Sequence, residues 1–574
     1  MAANYENITL TITDLDRIKL PKFQRGFVWT AAKKNDFVET LHKGFPFGAL
    51  LVYPESQEAD SKLVLLDGQQ RLSTIQQYKN DPLKFWKPLN HDDYKNALAS
   101  VNEILTDDNK IDEKTFDELV DGKRDLADWA DEAADRKEDR KAIRDLIKEL
   151  RAKVADYVDL KSLKILAIKF IGSRDSIADV FANLNKGGIP LSKYEIYSAA
   201  WVNTEISLLS KSDSEKQDEI LGYVKGYYSE MESSAEFELN DFSEDELSRT
   251  RTITLSEFGH ALGAFVGTRL EALVSSTTNA QKEIGFGLLG IITGVDNRQL
   301  GQLSGKTNEI GSNLQPILDR TDRICNDLQT TFAKLLSRMM AGKKDEYASG
   351  LTASFKTLSY FAALWALEQD SDDYKATLHN IPAYYVYDFW AGNWTSHGDQ
   401  RLFGYYPNSR TRNYLTPLTR TQMMDAYAQW AADTTPSINF PKEVKALTTI
   451  HANLSYLSQT VPYGESFELE HIIAKKLINE AEDQNNRKLF AGSLGNCMYL
   501  PKKLNNKKKE KNLYEFDESG KYDGLIEESL YPTKDEFAKI ADWLAEHTFS
   551  EINSLIVMRG NHVAGSIVDH LAKE

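Results

Sequence analysis

The spacing of apolar residues changes along the chain, and this change restricts the folds open to it. Residues 7–80 contain short apolar runs separated by turns, which is typical of short strands and helices. From about 205 to 440, apolar residues recur at three- and four-residue spacing, as in "TASFKTLSYFAALWALEQ", which predicts long helices. A chain of 574 residues also exceeds what one hydrophobic core can hold. We therefore predict an α+β protein of several domains.

We predict three regions: an α/β domain over 1–205, a mostly helical middle over 206–440, and a further domain over 441–574. A stretch at about 91–157 is dense in Ala, Leu and charged residues of both signs, which indicates a helical insertion in the first domain. C-terminal segments such as "FAKIADWLAEHTFSEINSLIVMRG" are helical in pattern, and they either pack internally or form the interface of a homodimer.

Charge and cysteine content exclude several classes of protein. The net charge of −17 excludes a general nucleic-acid coat, so any contact with DNA must come from local basic patches. Only two cysteines occur, Cys325 and Cys497, which excludes a disulfide framework and a four-cysteine zinc site. No apolar run approaches the length of a membrane span, and the first residues lack the features of a secretory signal. We expect a cytoplasmic protein with no membrane partner.

The segment "LLDGQQRLSTI" (65–75) predicts an anion-binding turn. A buried apolar run ends at Gly68 and helical spacing follows, so backbone N–H groups at a helix N-terminus would face a ligand. No Walker A motif is present, so this is not a P-loop. The alternative is a buried pair of Asp67 and Arg71 that stabilises the turn.

A second constellation lies near the C-terminus. Glu468, Glu470 and His471 end one predicted strand in "ESFELEHIIAKKL", and Asn496 follows His471 by 25 residues. "CMYLPKKL" predicts a second strand, after which Asn505 and "NNKKKEKN" lead into a helix. This order of strand, loop, strand and helix resembles the HNH, or ββα-metal, nuclease motif.

The resemblance implies a role for each of these residues. His471 would be the general base, since a neutral imidazole accepts a proton near neutral pH. Glu470 and Asn505, joined by Glu468, would bind Mg²⁺ or Mn²⁺ through hard oxygen atoms. Asn496 would tie the loop and orient the histidine. The alternative is a degenerate HNH fold that only binds its ligand.

Two segments are candidates for contact with nucleic acid. One is a lysine island around Asn505, opposed only by Glu510, where a phosphate backbone would approach: Lys502, Lys503, Lys507, Lys508, Lys509 and Lys511. A solvated helix is the alternative for this island. The other is 388–420, where aromatic residues alternate with arginines. Such a segment either stacks bases and holds phosphates, or packs between domains.

Three motifs carry a resemblance for the N-terminal region. "LPKFQRGFVW" (20–29), "DGQQR" (67–71) and "FANLNKGGIPLSKYE" (181–195) occur in this order. They resemble the ParB-like N-terminal domain of GmrSD-like modification-dependent (type IV) restriction enzymes, which also carry an HNH-type end. Phosphorothioate-sensing nucleases of bacterial defence islands are similar in both domains. The middle third of the chain shares no motif with them.

The resemblance implies a nucleoside triphosphate site, with GTP, ATP and UTP all open. Its contacting residues would be Gln24, Arg25, Asp67, Gly68, Gln69, Gln70, Arg71, Asn185 and Lys186. Asp67, Gln69 and Arg71 would take part in hydrolysis.

The implied function is an anti-phage nuclease that nicks or cleaves modified double-stranded DNA and is regulated by the nucleotide. The rival is a non-cleaving, nucleotide-dependent DNA-binding regulator with a relic HNH domain. RNA as the substrate is a further alternative, and the modification that is sensed stays open.

Overall fold

The computed structural model has an α+β fold with a mixed sheet near the N-terminus, which confirms the predicted class. The chain forms two compact units, Met1–Val202 with Tyr228–Ser243, and Asn203–Tyr227 with Glu244–Glu574. The structure describes residues 4–19, 29–54, 62–172, 201, 204–233, 244–338, 346–457, 466–483, 485–516, 520 and 522–572.

The N-terminal unit is built on five strands in the order β1-β5-β3-β4-β2. These are β1 (Tyr5–Leu10), β2 (Ile18–Lys19), β3 (Leu50–Pro54), β4 (Leu63–Asp67) and β5 (Ile165–Phe170). β1 and β5 are antiparallel, as are β3 and β4, whereas β3 lies parallel to β5 and β2 parallel to β4. The amphipathic helices α1 (Ala31–His42) and α2 (Gln69–Asn80) complete this core, in which Val52, Leu65 and Ile75 have no exposed surface.

The segment predicted as an insertion consists of helices that share a hydrophobic core of their own. Tyr94, Phe116, Ile143 and Ile147 are fully buried in it. The mixed-sign charges lie outside this core, which is why the segment has so many of them. The helices are α3 (Pro82–Leu89), α4 (His91–Ile104), α5 (Glu113–Val120), α6 (Leu126–Ala133) and α7 (Lys137–Ala155).

From residue 204 onward the chain is mainly helical, as its apolar spacing predicted. Short antiparallel pairs join β6 (Glu205–Ser207) to β7 (Thr252–Thr254), β8 (Ser337–Arg338) to β9 (Glu346–Tyr347), and β10 (Phe467–His471) to β11 (Cys497–Pro501). The helices are α8 (Glu215–Ser233), α9 (Glu244–Thr250), α10 (Leu255–Arg269), α11 (Thr278–Thr293), α12 (Thr307–Ser312), α13 (Leu314–Leu336), α14 (Ser354–Trp365), α15 (Asp372–Trp390), α16 (Gly398–Phe403), α17 (Arg420–Ala432), α18 (Lys442–Leu454), α19 (Lys475–Ala481), α20 (Lys502–Lys508), α21 (Leu513–Phe516), α22 (Asp523–Glu528), α23 (Lys534–Ala545) and α24 (Phe549–Leu571). None of the helices in the described ranges is long and apolar enough to cross a membrane.

The prediction that "CMYLPKKL" is one strand was wrong at its end. β11 stops at Pro501, and the N–H of Lys502 donates the last strand-like hydrogen bond to Ser466 O at 2.7 Å. From there Leu504 and Lys508, four residues apart, both point into the protein. This spacing is helical, so burial of one face of α20 ends the strand early.

Packing inside the second unit accounts for four of the aromatic residues of the arginine-rich segment 388–420. Trp390, Tyr405, Tyr406 and Tyr414 are all buried. The rings of Tyr405 and Tyr414 stack with their centroids 4.7 Å apart. These four side chains form a core inside the second unit and present no face to a base, whereas Trp394 is half-buried with the Arg401 guanidinium 5.3 Å from its ring centroid.

The last helix, α24, is held against the turn 494–496 by a buried arginine and two glycines. The Arg559 guanidinium donates hydrogen bonds to five backbone carbonyls, those of Leu494, Gly495, Cys497, Ser529 and Leu530. A Cβ atom on Gly495 would lie 1.7 Å from Ile556 O of α24, so this contact requires glycine. Gly560 of the same helix lies opposite Gly495.

Substitution of Gly495 tests the contact between the turn and α24. We expect Gly495→Ala to destabilise the second unit by about 1–3 kcal/mol, because the added methyl group meets a backbone oxygen that cannot move aside. Urea unfolding followed by circular dichroism measures the effect. Gly524→Ala in α22 is the matched control, since its Cβ would meet nothing within 4 Å. Equal stability of the two variants would contradict the packing described.

Candidate functional site

His471 lies at the end of β10 in a defined ring environment. Its Nε2 is 2.7 Å from the carbonyl oxygen of Ile438, and its ring stacks on Phe440 with centroids 3.9 Å apart. A carbonyl only accepts hydrogen bonds, so Nε2 carries the proton and the lone pair is on Nδ1. Nδ1 has no protein partner among the residues that the structure describes. The imidazole therefore keeps one ring nitrogen, Nδ1, as a proton acceptor.

Burial lowers the pKa of His471 below its ordinary value, and the positive charges of Lys475 and Lys508 lower it further. The hydrogen bond to Ile438 opposes this by raising the pKa, but it is the smaller effect. The imidazole is therefore neutral at neutral pH, which is the form that can act as a base.

Asn496 is buried and ties the segment after His471 to the start of β11. Its Oδ1 accepts from Ile473 N at 2.8 Å, and its Nδ2 donates to Ala491 O at 2.9 Å. Its backbone carbonyl accepts from Ile472 N at 3.0 Å. Asn496 thus contacts the backbone around His471, whereas Ile438 and Phe440 contact the ring itself.

Sequence reasoning missed Ile438 and Phe440. A backbone carbonyl leaves no trace in the sequence, and Phe440 precedes His471 by 31 residues in a segment without a motif. Only the packing of the turn 437–440 against 489–492 brings them to the imidazole. In that contact, Gly492 N donates to Ser437 O at 2.5 Å and Ser437 N donates to Leu489 O at 3.3 Å.

Helix α20 lies beside the two glutamates of β10. Lys502 Nζ is 3.0 Å from Glu468 Oε1, and Lys508 Nζ is 3.5 Å from Glu470 Oε1. Asn505 is three residues from each lysine, so it lies on the same face of the helix. The structure thus places Lys502 and Lys508 against the two glutamates, and helical spacing places Asn505 between these two lysines.

The lysine island divides into two groups in the structure. Lys502 and Lys508 pair with the glutamates, and the Lys508 side chain is only 1% exposed. Glu510 pairs with Lys476 at 3.3 Å, outside the island. The remaining ammonium groups stay on the exposed surface beside α20, those of Lys503, Lys507, Lys509 and Lys511.

The donor set beside His471 is sparse for a metal. No group of three or more His, Cys, Asp or Glu side chains that could hold an ion occurs in the described ranges. Glu470 and Asn505 offer one carboxylate and one amide oxygen. Mg²⁺ commonly binds through one or two carboxylates, with water and substrate phosphates completing its shell. These residues therefore fit an ion that the substrate helps to hold, and they do not fit a structural metal.

The segment 67–71 forms the predicted turn between strand and helix. β4 ends at Asp67, Gly68 has φ +99°, and α2 begins at Gln69 with no side-chain cap. The positive φ suits glycine. An uncapped N-terminus presents backbone N–H groups and the positive end of the helix dipole, which favours an anion.

Arg71 is held close to Asp67 without forming a buried pair. Its Nη2 is 3.3 Å from Asp67 Oδ2, and the Asp67 side chain is 42% exposed. A Cβ on Gly48 would lie 2.1 Å from Arg71 Nη1, so the guanidinium occupies space that only glycine leaves free. The buried Nε of Arg71 has no partner among the described residues. An open ion pair is better suited to bind a ligand than to stabilise a turn.

The other predicted nucleotide contacts are only partly described. Gln69 is buried, and Gln70 Oε1 accepts from Trp29 N at 3.0 Å, which anchors the residue at the end of the first motif. Gln24, Arg25, Asn185 and Lys186 lie outside the described residues.

One comparison with known proteins gives a match. Residues 7–202 match the model of the family described as "GmrSD restriction endonuclease, N-terminal domain". This range contains all three motifs of the N-terminal region. No curated protein matches the chain.

Substitution of Phe440 tests how the stacked ring affects the pKa of His471. Phe440→Leu removes the ring that covers the imidazole, and because burial is the main cause of the lowered pKa, we expect the pKa of His471 to rise. Histidine-selective NMR titration measures it, with His471→Gln used to assign the resonance. Phe45→Leu, at an exposed phenylalanine of the other unit, is the control. An unchanged pKa in Phe440→Leu would show that the stacked ring does not shield His471.

Proposed function

Since residues 7–202 belong to the family of GmrSD restriction endonuclease N-terminal domains, we propose that the protein is a defence DNA endonuclease with an HNH-type cleavage site at His471. Its N-terminal domain would bind and hydrolyse a nucleoside triphosphate and thereby regulate cleavage. The substrate would be modified double-stranded phage DNA. The observation that carries the proposal is the hydrogen bond of His471 Nε2 to the Ile438 carbonyl, which leaves the Nδ1 lone pair directed away from Ile438, on the strand that also carries Glu470.

In the proposed reaction, His471 Nδ1 takes a proton from the attacking water. The Ile438 carbonyl and the Phe440 ring hold the imidazole, and burial keeps it neutral. Glu470 and Asn505 would hold Mg²⁺ or Mn²⁺, which supplies charge neutralisation at the phosphate and at the leaving oxygen. The exposed lysines beside α20 would bind the phosphate backbone of the DNA.

The proposed nucleotide site lies at the N-terminus of α2. Arg71 would neutralise phosphate charge, and the first-turn N–H groups of α2 would bind phosphate oxygens. Gln69 and the partly exposed Asp67 would position water or a metal ion. Support for this assignment comes from the open Arg71–Asp67 pair and from the space that Gly48 leaves for the guanidinium.

Replacement of His471 tests the cleavage site. We expect His471→Ala to lower the cleavage rate by at least about a hundredfold, while folding and nucleotide hydrolysis persist, because the base is lost and the other unit is untouched. Strand breaks in plasmid or phage DNA with Mg²⁺ or Mn²⁺ are the readout, and His562→Ala on the exposed face of α24 is the control.

The cleavage rate of the wild-type protein should rise with pH through a pKa below about 6.5, since the neutral imidazole is the active form.

Loss of nucleotide hydrolysis together with cleavage in His471→Ala would contradict the division of labour between the two sites. Full cleavage by the variant would remove His471 from the mechanism.

Replacement of Arg71 and of Gly48 tests the nucleotide site. We expect Arg71→Ala to reduce nucleotide turnover by about a hundredfold, the order that charge-stabilising groups contribute. Gly48→Ala should act in the same direction, because its methyl group displaces the guanidinium without touching backbone atoms. Phosphate release with GTP, ATP and UTP is the assay. Gly222→Ala, whose Cβ meets nothing within 4 Å, is the control. Unchanged turnover in Arg71→Ala would show that the nucleotide binds elsewhere.

A second candidate function is a non-cleaving DNA-binding regulator that depends on nucleotide. One observation favours it: the buried ammonium of Lys508 lies beside Glu470, where a metal would have to bind. An assay that compares unmodified, glucosyl-hydroxymethylated and phosphorothioated DNA with RNA, with and without nucleotide, separates the candidates. Cleavage of any substrate that is lost in His471→Ala supports the nuclease. Binding without strand breaks under either metal supports the regulator.

A further inference from the structure

A cavity of about 460 Å³ lies in the second unit, next to the segment 437–440 that contacts His471. Its walls come from the ends of α15 and α17, the segment 433–444, the turn 492–495 and residues 556–560 of α24. This volume is within the range of small-molecule sites in proteins. The nuclease mechanism proposed above makes no use of it.

Aromatic rings form one wall of the cavity. Phe389 and Trp430 are half-buried, and their ring centroids lie 5.6 Å apart in an edge-to-face arrangement. Tyr427 is buried beside Trp430, with centroids 6.0 Å apart. The Tyr427 hydroxyl has no hydrogen-bond partner within the part of the chain that the structure describes. A planar ligand would find both a stacking surface and an unused polar group here.

The polar part of the lining is acidic and hydroxylic. Asp433 and Glu443 contribute carboxylates, and Thr434, Thr435 and Ser493 contribute hydroxyls. No lysine or arginine among the described residues lines the cavity, although the exposed Lys442 Nζ lies 4.0 Å from Glu443 Oε1. Carboxylates accept hydrogen bonds from amino groups of bases, and they repel phosphate. Such a lining favours a ring that carries hydrogen-bond donors, and it disfavours a phosphate group.

The cavity shares a wall with the support of the proposed catalytic base. Ser437 and Pro441 line it, and Ile438 and Phe440 between them contact His471. On the other side, Gly492 lines the cavity and donates to Ser437 O. Movement of this segment on ligand binding changes the position of the imidazole.

We propose that this cavity binds one nucleobase, from a free nucleoside or extruded from a DNA strand, and that occupancy acts on His471 through the segment 437–440. The effect on cleavage rests on the proposed nuclease function, whereas binding of the base does not. Stacking of a base on an aromatic ring is a main source of such binding, so the loss of Trp430 has a measurable effect.

The test uses the full-length protein and measures binding separately from cleavage. Isothermal titration calorimetry with cytidine and adenosine measures the binding of free nucleosides. The titrations are repeated with ATP present and with the Arg71→Ala variant, so that binding at the proposed nucleotide site of the other unit is recognised. Fluorescence of 2-aminopurine in duplex DNA reports extruded bases. We expect Trp430→Leu to weaken binding about tenfold. Trp543→Leu, at another half-buried tryptophan of the same unit that does not line the cavity, should have no effect.

Each outcome of these measurements either supports the proposed nucleobase site or overturns it. Binding of nucleosides that Trp430→Leu weakens supports the site for free bases, and a 2-aminopurine signal that the variant loses supports a base from DNA. A bound base should also shift the NMR signal of His471. If Trp430→Leu fails to fold, Asp433→Asn provides the same comparison, with Asp425→Asn on α17 as its control. No binding of either probe, or binding unaffected by these variants, overturns the proposal, even if the protein cleaves DNA.

Discussion

The C-terminal site depends on the hydrogen bonds that the buried guanidinium of Arg559 donates to backbone carbonyls. The guanidinium donates to backbone carbonyls at 494–497 and 529–530, and within the described ranges no carboxylate forms an ion pair with it. Burial lowers the pKa of Arg559 to about 10, so it stays charged at neutral pH. Several carbonyls would lose their partner at once without it, and a buried polar group without a partner costs about 1–3 kcal/mol. Arg559 therefore stabilises the turn from which Asn496 reaches the loop around His471.

The environment of the candidate base is built outward from that turn. Asn496 connects the backbone after His471 to Ala491, and the neighbouring residues 489–492 support the segment that carries Ile438 and Phe440. His471 itself makes one hydrogen bond and one ring contact. Its orientation and its lowered pKa are thus properties of two loops that a buried arginine and close glycine contacts hold in place.

The two candidate sites place charge differently. At the N-terminal turn, Arg71 and Asp67 remain accessible, so a phosphate can replace part of their interaction. Beside His471, the ammonium of Lys508 is buried next to Glu470, whereas Lys503, Lys507, Lys509 and Lys511 face solvent. An acidic chain thereby keeps a local positive surface where the proposed DNA contact lies.

Much of the fold was predictable because local patterns decide it. Alternating and helical spacing identified β3, β4, α1 and the start of α2, and the glycine at position 68 marked the turn between strand and helix. The end of β11 was not predictable in this way. Burial of Leu504 and Lys508 on one face of α20 depends on what packs against that face, and the local sequence is compatible with either structure.

The sequence by itself determined the α+β class, the turn at 67–71, the order of acid, histidine and asparagine residues near the C-terminus, and the family resemblance of the N-terminal region. These depend on residue type and spacing along the chain. Only the tertiary structure decided that Ile438 and Phe440 orient His471, that Lys508 is buried against Glu470, and that Trp390, Tyr405, Tyr406 and Tyr414 form a core. The physical reason is that these are contacts between residues distant in sequence. Their partners include backbone atoms and buried surfaces, which leave no pattern in the order of side chains.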